Sequence, residues 1–468
     1  MPAYQALRQR HQTIRPFIRP FSDMTTSQQR PAAVKLREAF LYWLKLGFIS
    51  FGGPAGQIAL MHAELVEKRR WISERRFLHA LNYCMVLPGP EATQLAIYVG
   101  WLMHRTAGGI IAGVLFVLPS LVILIALSWI YLAFGNLPLV AGVLYGIKPA
   151  VVAIVLVAAW RIGKRTIKNF WLAAIAAAAL LAISVLQVPF PIIVLSAALI
   201  GLIGGRLMPS RFAIGGEANG KTASYGPALI DDDTPPPPHA RLSWRKMLAV
   251  SAGGILFGLA AWVALAATMG TDSPIAQMGL FFSKAALLTF GGAYAVLPYV
   301  VQGAVGHYHW LTPTQMIDGL ALGETTPGPL IMIVAFVGFI GGWHTSALGA
   351  SSMALPAIAG ACVATFFTFL PSFVFVLAGG PLVESTRDNI RLTAPLTAIS
   401  AAVVGVIVSL AIFFANHVFR LAQALPQWDF IAIAITVAAC VALLRFKLGT
   451  IKLIFACAIT GLVVSYFF

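Results

Sequence analysis

An all-α polytopic membrane protein is what this sequence predicts, with two homologous halves in inverted (antiparallel) topology and broken or re-entrant helices. Three observations predict it: the scarcity of charge, an internal repeat, and a change of side in the basic loops. Of 468 residues, 59% are hydrophobic and only 10% are charged. A soluble domain carries about 25% charged residues, so this chain has more apolar surface than a soluble core can hide. Uncharged apolar stretches recur at residues 107–134, 170–205, 250–271 and 345–380. Each is long enough for at least one span of roughly 20 residues. The stretch 170–205 has room for two short spans turning at Val188-Pro189-Phe190-Pro191.

The repeat is read from self-comparison. Phe51-Gly52-Gly53 recurs as Phe290-Gly291-Gly292, 239 residues on, and at that shift Lys45 meets Lys284, Ser50 meets Thr289 and Trp71 meets Trp310. Pro88-Gly89-Pro90 meets Pro327-Gly328-Pro329 at the same shift. Farther on, Leu118-Pro119-Ser120 reads against Leu370-Pro371-Ser372. The chain therefore divides into a basic cytosolic tail (1–36), an N-terminal half (37–206), a hydrophilic linker (207–245), one unpaired linking span (246–268) and a C-terminal half (276–468). The linker holds Asp231-Asp232-Asp233-Thr234 and then four prolines, the composition of a stiff, solvated segment.

Loop charge sets orientation. In the first half Lys and Arg crowd residues 68–76, Arg105 and residues 161–168. The equivalent of the first basic loop in the second half, Gly306 to Pro313, has neither, and the basic loop is instead Arg445 to Lys452. Cytoplasmic loops carry the basic residues, so the second half is upside down relative to the first. The N-terminus is then cytoplasmic and the C-terminus outside. Residues 38–66 and 76–105 are basic at both ends and broken at their centres. Each reads as a segment that dips into the membrane and returns, or as one discontinuous span. Such backbone survives at membrane depth only where protein or a wet cavity satisfies it.

The net charge of +16 follows the tail and short loops, which suits topology and anionic lipid, not nucleic acid. Residues 1–34 are Arg-rich without the apolar core of a signal peptide. Cys84, Cys362, Cys440 and Cys457 form no CxxC pair and read as small hydrophobes. The enzyme motifs HExxH and GxSxG are absent, and no enzyme, cofactor or metal is expected. His307 and His309 read as solvated, and Trp71 and Trp310 as anchors at the membrane surface.

Inverted repeats place substrate at their interface near the membrane midplane. The expected substrate site is Lys45, Ser50, Phe51, Gly52 and Gly53 with Lys284, Thr289, Phe290, Gly291 and Gly292. Glycine breaks expose N–H groups at a helix start, and paired lysines neutralise a dianion. The competing reading of the lysines is snorkelling to the interface. Pro54, Pro88, Gly89, Pro90, Pro327, Gly328 and Pro329 are expected to break or gate helices. Glu91 and Glu324 are candidate proton carriers or structural partners of a lysine, and Lys148 before Pro149 is a weaker candidate.

Phe-Gly-Gly-Pro, Trp71 and Pro-Gly-Pro, repeated as Phe-Gly-Gly, Val296-Leu297-Pro298, Trp310 and Thr326-Pro327-Gly328-Pro329, resemble the chromate ion transporter family in its long-chain, two-half form. The resemblance covers both halves. It implies export of chromate from the cytosol as a resistance mechanism, with sulfate as isostructural competitor, by two antiparallel halves in the inner membrane. It also carries the glycine and proline motifs above, with Pro298, onto the site; Ala293 stands where a third glycine is expected. The alternatives on the same scaffold are a passive anion channel and an ion or proton antiporter of another substrate. Expected partners are a chromate- or sulfate-like oxyanion, the bilayer, protons and a second copy of the chain.

Overall fold

The computed structural model describes residues 31–135, 137–212, 225–290, 292–344, 353–385, 393–420 and 428–467. The N-terminal half comprises α1 (Leu36–Ile49), α2 (Gly53–His62), α3 (Glu74–Cys84), α4 (Glu91–Phe134), α5 (Pro138–Thr166), α6 (Phe170–Ser184), α7 (Phe190–Leu207) and a single turn, α8 (Pro209–Phe212). A linking helix follows, α9 (Trp244–Met269). The C-terminal half comprises α10 (Pro274–Leu287), α11 (Ala293–Val301), α12 (Pro313–Thr325), α13 (Ile333–Trp343), α14 (Ala354–Ser385), α15 (Thr393–Val418), α16 (Phe430–Leu444) and α17 (Thr450–Phe467). Among the described residues, seven helices are long and apolar enough to cross a membrane.

The broken segments fold back on themselves as helical hairpins. A continuous helix would separate Glu38 and Arg69 by about 45 Å. Instead Arg69 lies 3.2 Å from the Glu38 carboxylate and over the Tyr42 ring at 5.1 Å. Gly52 makes the reversal at φ 90°, and Pro54 starts α2 at a position where a missing N–H costs nothing. The next pair behaves alike. Arg76 at the start of α3 and Tyr98 on the returning limb of α4 both reach Glu384. At His104 and Arg105 the chain turns again, with Arg105 at φ 58°. The two limbs of α4 then pack back to back, so that a Cβ on Gly100 would meet the Gly108 carbonyl and one on Gly113 would meet Ile97.

The second half repeats this geometry, down to irregularities. Both returning limbs loosen into i→i+5 turns at equivalent places, Ala63–Lys68 and Gln302–His307. Arg70 and His309 share φ 52°, while Gln187 and Lys447 share φ 54° and 50°. Inversion shows in the two repeat-related long helices. Gly109 and Gly113 of α4 face Leu377 and Phe373 of α14 in that order, so the helices run antiparallel.

The halves interlock behind the hairpins. α5 packs along α16, from Tyr145 with Asp429 (2.8 Å) to Arg161 with the Leu443 carbonyl (3.3 Å), and Gly146 abuts Gly461 of α17. Reciprocally, α15 packs on α6 and α7: Gly405 sits against Ala176 and Gly201 against Ala398. Glycine at these crossings lets backbones approach, which is how helices associate where lipid and side chain are equally apolar. α9 buries no residue and lies along α14 through Gly254 and Gly258.

Two expectations are corrected. The linker is not simply solvated: its described part docks on the first half. Ile230 exchanges backbone hydrogen bonds with Trp71 and Ser73, Ser73 bonds Asp232 at 2.6 Å, and Arg76 bonds the Thr234 carbonyl. His239 reaches the Trp101 carbonyl at 3.0 Å, and burial there pushes its pKa down. Trp71 and Trp310 are not surface anchors but are 3% and 5% exposed. Each packs inside its hairpin, Trp71 against Tyr42 and Trp310 against Tyr308 and Phe281. An aromatic ring at a hairpin mouth gains more by closing the two limbs together than by meeting headgroups.

Re-entrance is directly testable. With the four native cysteines replaced, Glu67→Cys and Thr106→Cys should react with an impermeant thiol reagent from the same side of the membrane. Reaction from opposite sides would mean that residues 74–103 cross it.

Candidate functional site

The four hairpin tips meet, and they meet crosswise. The Gly89 N–H of one Pro-Gly-Pro break donates to the Thr289 carbonyl ahead of the other half's Phe-Gly-Gly break, at 2.7 Å. The Gly328 N–H donates to the Ser50 carbonyl, also at 2.7 Å. Both glycines take positive φ, 124° and 101°. The Leu-Pro-Ser serines complete the symmetry: Ser372 crowds Gly89 and Ser120 crowds Gly328, leaving no room for a Cβ at either glycine. Every break in one half is thus capped by the other half.

Polar side chains surround the crossing. Gln57 donates to the Gly328 carbonyl at 2.5 Å, and Gln94 donates to the Pro88 carbonyl at 2.8 Å. Ser50 Oγ, Gln57 Oε1, Thr93 Oγ1, Gln94 Oε1 and Ser120 Oγ are buried without a hydrogen-bond partner in the protein. Unpaired buried polar atoms are costly, and several together mark a place built for a ligand or for movement. Gln57 and Gln94 did not stand out in the sequence. A usable signal existed, since each lies four residues past a break (Gly53, Pro90).

A cavity of about 570 Å³ opens onto this crossing. Phe51, Gly52 and Gly53 form one wall, and Gly323, Glu324, Thr326 and Gly328 another. The third wall is the loop after α16 together with the first turn of α17, Phe446 to Lys452, which brings Lys447 and Lys452. The α2 helix starts at this cavity, so the free N–H groups and positive end of its dipole face it. Gly53, at φ 70°, has open space where a Cβ would point. The loop lies at the end of the bundle where α5 closes with Arg161, Lys164 and Arg165, because Arg161 bonds the Leu443 carbonyl just before it.

The expected residues separate into those gathered here and those that are not. Phe51, Gly52, Gly53, Glu324 and Gly328 line the cavity, and Ser50, Thr289, Pro88, Gly89, Pro90, Pro327 and Pro329 belong to the crossing beneath it. The Thr289 hydroxyl is turned back to the Ala285 carbonyl (2.8 Å), so it is not a second donor matching Ser50. Phe290 and Gly292 form the partner tip, where Gly292 at φ 103° has no neighbour at its Cβ position; Gly291 lies outside the described residues. Glu324 accepts a hydrogen bond from Tyr294. Glu91 opens α4 beside Pro90, within electrostatic reach of Arg165.

Lys45 and Lys284 depart from the paired-cation expectation. Both are exposed on the outer faces of α1 and α10, and neither lines the cavity. Lys45 acts electrostatically on Glu64, near the hairpin mouth. A long lysine stem reaching such a mouth is the snorkelling geometry. The cations that do line the cavity, Lys447 and Lys452, come from a segment, the loop and the start of α17, that reads in the sequence only as a topology marker.

Comparison with known proteins agrees with this architecture. The chromate transporter family model matches residues 37–202 and again 276–462. The chromate transport protein of Cupriavidus metallidurans is 30% identical over 386 residues, 82% of this chain and 83% of that protein. That of Pseudomonas aeruginosa is 32% identical over 383 residues, 82% of each chain. A probable chromate transport protein of Synechococcus elongatus is 29% identical over 377 residues, 80% of this chain and 83% of that protein. No solved structure matches significantly. The chain belongs to the chromate transporter family, and it is a multi-pass membrane transport protein.

The crossing predicts a contrast among glycines. Gly89→Ala and Gly328→Ala should each lower stability by about 1–3 kcal/mol from backbone strain alone, with crowding by serine added. Gly323→Ala, whose Cβ would sit an ordinary 3.6 Å from Ile333, should melt like wild type. Thermal unfolding of the detergent-purified variants reads the difference.

Proposed function

We propose that this chain is a secondary transporter that exports chromate, a tetrahedral sulfate-like oxyanion, from the cytosol and so confers chromate resistance. The observation that carries the reading is the composition of the cavity. It combines two lysines, the N-terminal end of α2 and bare glycine backbone above a ring of unpaired polar side chains. A dianion needs positive charge, N–H donors and close backbone approach, and these three features supply them. The relatives named as chromate transport proteins support chromate as the member of the class.

The sidedness of the cavity supports outward movement. The cavity rim, Phe446 and Lys447, is exposed and lies at the end of the bundle that also carries Arg161, Lys164 and Arg165. The positive-inside rule makes that end cytoplasmic. The N-terminus is then inside, α17 carries the C-terminus outside, and the state described is open to the cytosol. Substrate enters past Lys447 and Lys452 and reaches Gly52, Gly53 and Thr326. Glu324, held by Tyr294, is the cavity's own carboxylate and the proposed carrier of a coupling proton. The hairpins rock against the interlocked α5, α6, α7, α15, α16 and α17 to expose the crossing to the other side.

The experiment is chromate uptake into everted membrane vesicles with and without excess sulfate. Wild type should accumulate chromate when energised, and sulfate should compete. Lys447→Gln with Lys452→Gln should lower uptake roughly tenfold or more, since charged hydrogen bonds contribute about 1.5–3 kcal/mol. Lys45→Ala with Lys284→Ala should leave it near wild type. The opposite ranking would move the site to the outer faces of α1 and α10. No uptake by folded wild type would end the chromate assignment.

A further inference from the structure

Beyond the cavity, a buried ion pair besides that of Arg76 with Glu384 joins the two halves. Lys148 of α5 lies 3.6 Å from Asp318 of α12, and Tyr131 of α4 donates to the other Asp318 oxygen at 3.0 Å. Asp318 is 2% exposed. The Lys148 side chain keeps 25% of its surface open. A charge at this depth costs a few kcal/mol by insertion scales, so such residues are retained for a reason.

Its position is informative. Asp318 lies five residues, about 8 Å, along α12 from Gly323, the first residue of that helix to line the cavity. It lies toward the start of α12, away from the tip. Lys148 is thirteen residues, about 20 Å, along α5 from Arg161 at the cavity-mouth end. The pair therefore sits beyond the crossing, on the side closed in this state. Any movement that opens that side separates α12 from α5, and with them these two charges.

We propose that Lys148 is a second anion-binding residue on the outward side of the path, occupied by the Asp318 carboxylate in this state and handed to the tetrahedral oxyanion when that side opens. The inference rests on the oxyanion reading of the cavity. At 3.6 Å the two groups form an ion pair and not the close charged hydrogen bond of roughly 2.7–2.9 Å. Substrate and carboxylate compete for one ammonium, and Tyr131 keeps Asp318 in place while they do.

The test is concentration-dependent chromate transport in proteoliposomes, with melting temperature measured in parallel. Asp318→Asn keeps the cation and removes its competitor. Half-saturation should fall several-fold, and the maximal rate should fall with it because release slows. Lys148→Met with Asp318→Asn leaves no buried charge unpaired, so it should melt like wild type. It should nevertheless lose transport by roughly tenfold or more, the effect of removing a charged hydrogen bond. A neutral double variant that transports like wild type overturns the proposal in favour of a fastener. So does an unchanged half-saturation in Asp318→Asn. Wild type that moves neither chromate nor sulfate would instead count against the oxyanion reading itself.

Discussion

A helix that stops in the middle of a membrane leaves carbonyl and amide groups that water cannot satisfy, and each such group costs several kcal/mol in hydrocarbon. This fold has four such stops. The two hydrogen bonds from Gly89 to Thr289 and from Gly328 to Ser50 answer that constraint, because each half supplies the cap that the other lacks. The cavity opens where the capped breaks meet.

The glycines and prolines at the tips then divide the labour. Gly89 and Gly328 are enclosed and serve packing, since serine from the opposite half fills the space beside them. Gly53 and Gly292 face open space at positive φ and present backbone. One motif therefore holds the crossing together and the other lets a ligand near it. Unpaired oxygens on Ser50, Gln57, Thr93, Gln94 and Ser120 lie around the contact between these two functions. A substrate bound there is held by groups that belong to both halves, which is the condition for coupling its binding to their relative movement.

Much of this was legible in the sequence. Repeat spacing gave the two halves, loop charge gave their opposition, and the central breakers gave the re-entrant segments, because each of these is a one-dimensional pattern. What was not legible depends on which chains meet in space. Lys45 and Lys284 match in the repeat, yet helix rotation turns both outward. Lys447 and Lys452 come into the cavity because α16 runs alongside α5 of the other half. Nothing in the one-dimensional pattern sets Asp318 beside Lys148 and Tyr131, which come from two helices of the other half. The linker reads as solvated by composition, but Ile230 and Ala240 are apolar enough to dock.

The central claim is that the tip of the first hairpin lines an oxyanion cavity reached from the basic face. Phe51→Cys in a cysteine-free chain tests it most directly, because Phe51 lines the cavity and keeps 37% of its surface exposed. The measurement is the rate of modification by an impermeant thiol reagent, applied to everted or right-side-out vesicles, with and without sulfate. The account predicts modification from the cytoplasmic face that sulfate slows. Modification only from the opposite face, or an unchanged rate in a variant that still transports, would contradict it.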